Sequence, residues 1–172
     1  MSAKINSPVQ DSVDREIVIT RVFDAPRELV WDAWTDPKHV VRWWGPRGFT
    51  TTIHEMDLRP GGVWRLTMHG PDGRDYYNNI VFGEIVPPER LVYRHVPSEG
   101  TEPVGHQTIV TFEARGNKTD LTLRLVFDTN EARDYAINAY HAVEGGKQTT
   151  GRLADYLATL PGAGAERRGG PM

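Results

Sequence analysis

The sequence predicts an α+β fold: a seven-stranded antiparallel sheet with one apolar face, two short helices after the first strand, and a long C-terminal helix over the sheet. Three observations predict it. Turn chemistry recurs every 8–12 residues between positions 51 and 127. Two proline-marked helix starts crowd into VFDAPRELVWDAWTDPKHVVRWW, residues 22–44. The apolar period turns helical again beyond Thr129.

The elements follow in order. Glu16 to Asp24 is β-branched and alternating, which marks a strand. Asp24 is placed to cap the next segment, with Pro26 in its first turn. Leu29/Ala33 and Val30/Trp34 are i,i+4 pairs on one helical face. Asp36-Pro37 repeats the start signal, and Gly45-Pro46 ends the second helix. Neighbouring helix residues point apart, so at least one of Trp43 and Trp44 is expected to be partly exposed.

Six strands come next: Thr51–Leu58, Val63–His69, Tyr76–Val86, Arg90–Val96, Gln107–Ala114 and Thr119–Phe127. The tightest turns are Arg59-Pro60-Gly61-Gly62, Gly70-Pro71-Asp72-Gly73 and Gly116-Asn117-Lys118, while Pro97–Gly105 reads as a loop. In the last helix, Leu153, Leu157 and Leu160 stand at i, i+4 and i+7. Gly145-Gly146 interrupts it, so the expectation is one long helix or two pieces broken at those glycines.

Strand parity sorts the side chains. His54, Met56 and Leu58 share one face of their strand, as do Trp64, Leu66 and Met68; Leu91, Tyr93 and His95; and Leu121, Leu123, Leu125 and Phe127. Charged residues occupy the opposite faces, so these sets are expected inside. The strand through residue 80 is ambiguous, because Ile80 and Phe82 oppose Val81 and Ile85. Apolar walls with a few polar groups are the usual composition of a small-molecule pocket.

Composition excludes several classes. The 172 residues include no cysteine, so disulfides, thiolate metal sites and thiol nucleophiles are absent. The formal charge of −3 carries no basic stripe for nucleic acid. No apolar run reaches about 18 residues, as a membrane span would need. The composition suits the cytoplasm. Polar residues 1–14 and the Gly/Pro-rich residues 162–172 read as tails around a single domain at 15–161.

Catalytic motifs fail on inspection. Gly145-Gly146-Lys147-Gln148-Thr149-Thr150 hints at a phosphate loop, but Gln148 stands where a Ser or Thr must follow the lysine. His54 and His95 lack a third ligand for a metal, so no metal or other cofactor is expected. The four serines, Ser2, Ser7, Ser12 and Ser98, lie in tails or loops and form no nucleophile elbow. Parity turns Glu55 and Asp57 away from the pocket, so no catalytic residue is assigned.

Several spaced motifs resemble one family. They are Phe23-Asp24-Ala25-Pro26 with Val30-Trp31, Asp36-Pro37, Trp43-Trp44-Gly45-Pro46, Asp57-Leu58-Arg59-Pro60-Gly61-Gly62, Gly70-Pro71-Asp72-Gly73 and Glu84-Ile85-Val86-Pro87-Pro88-Glu89-Arg90-Leu91. The chain is similar, from about Arg15 to Leu160, to the SRPBCC (START-like, helix-grip) superfamily, in the branch named after the activator of the heat-shock ATPase of ninety kilodaltons. The resemblance implies a helix-grip fold whose sheet curves around the last helix. It implies binding of a small hydrophobic or amphipathic ligand (lipid, aromatic or polyketide-like) in the cavity between them. It favours Val81 and Ile85 as the inward residues of their strand. The expected ligand-binding set is Trp34, Trp43, His54, Met56, Trp64, Leu66, Met68, Val81, Tyr93, His95, Phe127, Thr150 and Leu153.

Two alternatives stay open. One is a cyclase-, aromatase- or hydrolase-like enzyme using His54, Tyr93 or His95 for proton transfer. The other is a chaperone- or stress-linked interaction protein. A homodimer through an exposed sheet edge or the tryptophan face is also left open. One departure from the family stands out: Gly146 takes the place where many members carry a Trp, which implies a wider cavity or a bend.

Overall fold

The computed structural model describes residues 15–97 and 105–161. The expected tails at 1–14 and 162–172, and most of the expected loop at 97–105, lie outside the described residues. The chain runs β1 (Glu16–Phe23), α1 (Arg27–Thr35), α2 (Pro37–Trp43), β2 (Thr50–Met56), β3 (Val63–His69), β4 (Asp75–Val86), β5 (Arg90–His95), β6 (His106–Arg115), β7 (Lys118–Phe127), α3 (Asn130–Tyr140) and α4 (Ala142–Leu157).

The strands form one antiparallel seven-stranded sheet in the order β1-β7-β6-β5-β4-β3-β2. Strands β2 to β7 are a meander, and β1 closes onto β7 with Ile17 opposite Leu125 and Ile19 opposite Leu123. Helix α4 packs on β1 and touches α1, α2 and α3, while α3 reaches β7 and β1. The core between sheet and helices holds Ile17, Phe23, Trp64, Leu66, Ile80, Phe82, Leu91, Leu121, Leu153 and Leu157.

Asp36 caps α2 as expected, accepting a hydrogen bond from Lys38 N at 3.0 Å, with Pro37 in the first turn. The start of α1 differs. Pro26, not Asp24, is the cap residue, and its carbonyl accepts from Leu29 N and Val30 N at 3.0 and 3.2 Å.

Strict parity fails at two bulges. In β2, Ile53 pairs with Leu66 but Glu55 pairs with Arg65, so His54 is an extra residue. Ile53 and Met56 both pack on the core, whereas His54 is exposed and Leu58 is 39% exposed. His54 instead hydrogen-bonds the Thr67 hydroxyl at 2.7 Å. In β4, Phe82 pairs with Tyr93 and Ile85 with Leu91, which leaves both Gly83 and Glu84 against Val92. Ile80 and Phe82 are buried, Ile85 packs on the core from the far side of the bulge, and Val81 points outward at 37% exposure. The structure thus corrects the expectation for Val81. Ile80 lies opposite the buried Trp64, and directly paired residues share a face.

The C-terminal helix is two pieces, but they do not break at the glycines. The break is His141, whose φ of 53° and ψ of 47° are left-handed. His141 ends α3 by donating its N–H to the Ala136 carbonyl, and its own carbonyl receives Gly145 N at 2.8 Å. Gly145 and Gly146 thus remain inside α4. A Cβ on Gly146 would overlap Ile19 Cδ1 of β1, so the missing ring is replaced by close helix-to-strand contact.

Candidate functional site

The helical segment that follows β1 covers one end of the sheet with rings. Trp34 and Trp43 are buried edge-to-face, with centroids 4.9 Å apart at 64°. Each indole is anchored: Trp43 Nε1 donates to the Ala33 carbonyl at 3.0 Å, and Trp34 Nε1 to the Tyr93 hydroxyl at 3.3 Å. Trp44, the partly exposed member of the pair, packs on Trp64 at 4.9 Å.

Gly45 then turns the chain with φ of +98°, a conformation that favours glycine. Arg152 Nη1 of α4 donates to the carbonyls of Trp44, Gly45 and Pro46 at 3.2, 2.9 and 3.1 Å. One guanidinium therefore ties the end of α2 to α4 and fixes the rim. Burial, with the neighbouring Arg47, lowers the Arg152 pKa below the usual arginine value.

Beneath this rim lies a cavity of about 220 Å3. Its helical side is Ala136 of α3 with Ala142, Gly145, Gly146, Thr149 and Thr150 of α4, and Trp34, Trp43, Trp44, Gly45 and Pro46 close one end. The sheet side is Met68 and Asn78, then Tyr93 and His95 of β5, His106 and Thr108 of β6, Leu123, Leu125 and Phe127 of β7, and Ile19 of β1. A depression of about 410 Å3 adjoins it, sharing Pro46, Met68 and Gly145 and adding Phe49, Tyr76 and His141.

Seven of the expected positions line this cavity: Trp34, Trp43, Met68, Tyr93, His95, Phe127 and Thr150. Six do not. His54 faces outward at the β2 bulge, Val81 faces outward by its regular register between Val63 and Arg94, and Trp64, Leu66 and Leu153 are fully buried core outside the cavity lining. Met56 packs on the core at the edge strand, away from it. Sequence reasoning missed Asn78, His106 and Thr108. The strand signal could have found His106: the expected strand starts one residue too late, at Gln107, and so excludes it.

Register assembles the polar end. His95, His106 and Phe127 lie directly opposite one another on β5, β6 and β7. The two imidazoles stack at 4.3 Å and 16°, and His106 meets Phe127 at 4.8 Å. Among the described residues, the buried Nδ1 atoms of both histidines have no hydrogen-bond partner. Burial, with His106 alongside, pushes His95 well below the usual histidine pKa. Burial also takes His106 down to about 4, helped by Arg94 and opposed by Asp128. Both rings are therefore neutral near pH 7. Burial raises the Tyr93 hydroxyl, against a smaller lowering by the Trp34 hydrogen bond, so it stays protonated.

Among the described residues that line the cavity there is no Asp, Glu, Lys or Arg. Among the described residues no group of three or more His, Asp or Glu side chains is placed to hold a metal ion. No helix of the described residues is long and apolar enough to cross a membrane.

The chain is similar to solved structures over most of its length. A solution structure from Arthrobacter aurescens matches at 25% identity and TM-score 0.78, covering 93% of this chain and 94% of that one. A crystal structure from Rhodobacter sphaeroides matches at 25% identity and TM-score 0.75, covering 87% and 96%. One from Chromobacterium violaceum matches at 26% identity and TM-score 0.71, covering 82% and 95%. None of the curated proteins matches. The family model described as "Activator of Hsp90 ATPase homolog 1-like protein" matches residues 24–158. With that match and the helix-grip architecture around it, the chain belongs to the activator of Hsp90 ATPase homolog 1-like family, within the SRPBCC superfamily.

Proposed function

We propose that the protein binds a small hydrophobic or amphipathic molecule in the cavity between the sheet and α4. The observation that carries this reading is the cavity itself: about 220 Å3, walled by tryptophan, phenylalanine and aliphatic side chains, with a few polar groups that include Tyr93, His95 and His106. Apolar walls with a few convergent polar groups suit ligand capture, because the walls supply the affinity and the polar groups the orientation. The family's fold commonly uses such a cavity for ligands. The single-ring and fused-ring members of the aromatic and polyketide-like classes suit the space better than a long-chain lipid.

Native mass spectrometry of the purified protein tests this. An added mass of small-molecule size that is lost on denaturation, or one acquired from a panel of aromatics, sterols and fatty acids, is the expected result. An apo mass that shifts with no member of the panel contradicts it.

A further inference from the structure

The contents of the cavity wall say more about the ligand than its class of polarity. We infer that the cavity takes an uncharged hydroxy- or keto-arene of one or two rings, its oxygen held at the stacked His95–His106 pair. This rests on the proposed ligand-binding reading and narrows it.

Size comes first. An apolar cavity of about 150 Å3 accepts benzene, so the 220 Å3 here suits a substituted single ring or a fused pair. The walls come next. Trp34, Trp43 and Phe127 stand in the wall, and aromatic rings pair well with an aromatic guest.

Charge decides the polar end. The described lining contains no lysine, arginine, aspartate or glutamate. A carboxylate entering it would lose its hydration and gain no counter-ion, which is costly in an apolar site. The histidines supply no positive charge near neutral pH, since burial keeps both in the neutral form. A neutral imidazole carries one N–H donor and one acceptor nitrogen. Among the described residues the Nδ1 atoms of both rings are closed off without a partner, so a guest in the cavity that both rings line meets their Nε2 edges. A hydroxyl, donor and acceptor at once, or a carbonyl, acceptor only, complements this pair.

The test measures binding of 2-naphthol, naphthalene and 2-naphthoate at pH 7 by titration calorimetry or ligand fluorescence. The expected order is 2-naphthol about tenfold tighter than naphthalene, as one added hydrogen bond gives, with 2-naphthoate weakest. In folded His95→Phe and His106→Phe variants the advantage of 2-naphthol over naphthalene disappears while naphthalene binding remains. Equal affinity of 2-naphthol and naphthalene for the unaltered protein overturns the histidine assignment and leaves cavity binding standing. Tighter binding of 2-naphthoate than of 2-naphthol overturns the requirement for an uncharged guest. Binding of none of the three overturns this inference, and the reading beneath it falls only if native mass spectrometry also finds no ligand.

Discussion

His95 and His106 face each other across β5 and β6 with their rings stacked at 4.3 Å, and both are neutral because burial disfavours the imidazolium. Neutrality in the fold makes stability depend on pH. His106 titrates near 4 when folded and near 6.5 when unfolded, so the unfolded chain takes up a proton first as pH falls. The contribution is fully present above about 6.5 and is lost as pH falls toward 4.

Denaturant unfolding at pH 7 and pH 4.5 checks this. A tenfold difference in acidity between the folded and unfolded chain is worth roughly 1.4 kcal/mol. The His106→Phe variant should therefore lose on the order of 2 kcal/mol less than the unaltered protein between the two pH values. Equal losses would mean that His106 is hydrated in the folded state.

The contact between Gly146 and Ile19 makes a second prediction. Alanine is intrinsically better in a helix than glycine by about 1 kcal/mol. At Gly146, however, the added Cβ would overlap Ile19 Cδ1, and Ile19→Val deletes that atom. Gly146→Ala alone should therefore destabilise by about 1–2 kcal/mol. In the Ile19→Val background the same change should become neutral or stabilising. Thermal melts of the four proteins give the coupling; simple additivity would count against close packing as the reason for a glycine.

His141 bears a third. A non-glycine residue in the left-handed region costs about 1 kcal/mol or more, and a β-branched one more still. His141→Gly should raise stability by about 0.5–1 kcal/mol, and His141→Val should lower it. The reverse order would show that the imidazole makes a contact worth more than the strain at φ of 53°.

Arg152 bears a fourth. Its Nη1 holds three successive carbonyls at the cavity rim. Arg152→Met keeps much of the aliphatic stem and removes the donors. It should cost about 1–3 kcal/mol and raise hydrogen exchange at Gly45 to Gly48 relative to β3. Unchanged exchange there would relieve Arg152 of its positioning role.

The legible part of the molecule is its punctuation. Asp36-Pro37 marks a helix start, and the Gly-Pro turns mark strand ends, because those residues restrict the backbone locally. The illegible part is whatever a neighbour decides. His54 faces outward because of one extra residue in β2, and no local pattern announces a bulge. Val81 escapes a sequence reading because its strand is apolar on both faces, so only pairing with Trp64 and Tyr93 selects Ile80 and Phe82. The helix bend sits at His141 rather than at Gly145-Gly146 because those glycines serve contact, not flexibility. Trp64, Leu66 and Leu153 point inward as parity and period imply, but orientation does not separate core from cavity wall. That separation depends on where α4 lies, and its seat on Ile19 is a property of the assembled pair.

The most direct test of ligand capture in the cavity is an amide NMR titration of the protein with 2-naphthol. Capture there predicts saturable shifts at Thr108, Leu125, Gly145, Gly146 and Thr150 and at the indoles of Trp34 and Trp43, with His54 and Val81 unmoved. Shifts confined to the outer face of the sheet, or no saturable shift at any cavity residue, would contradict it.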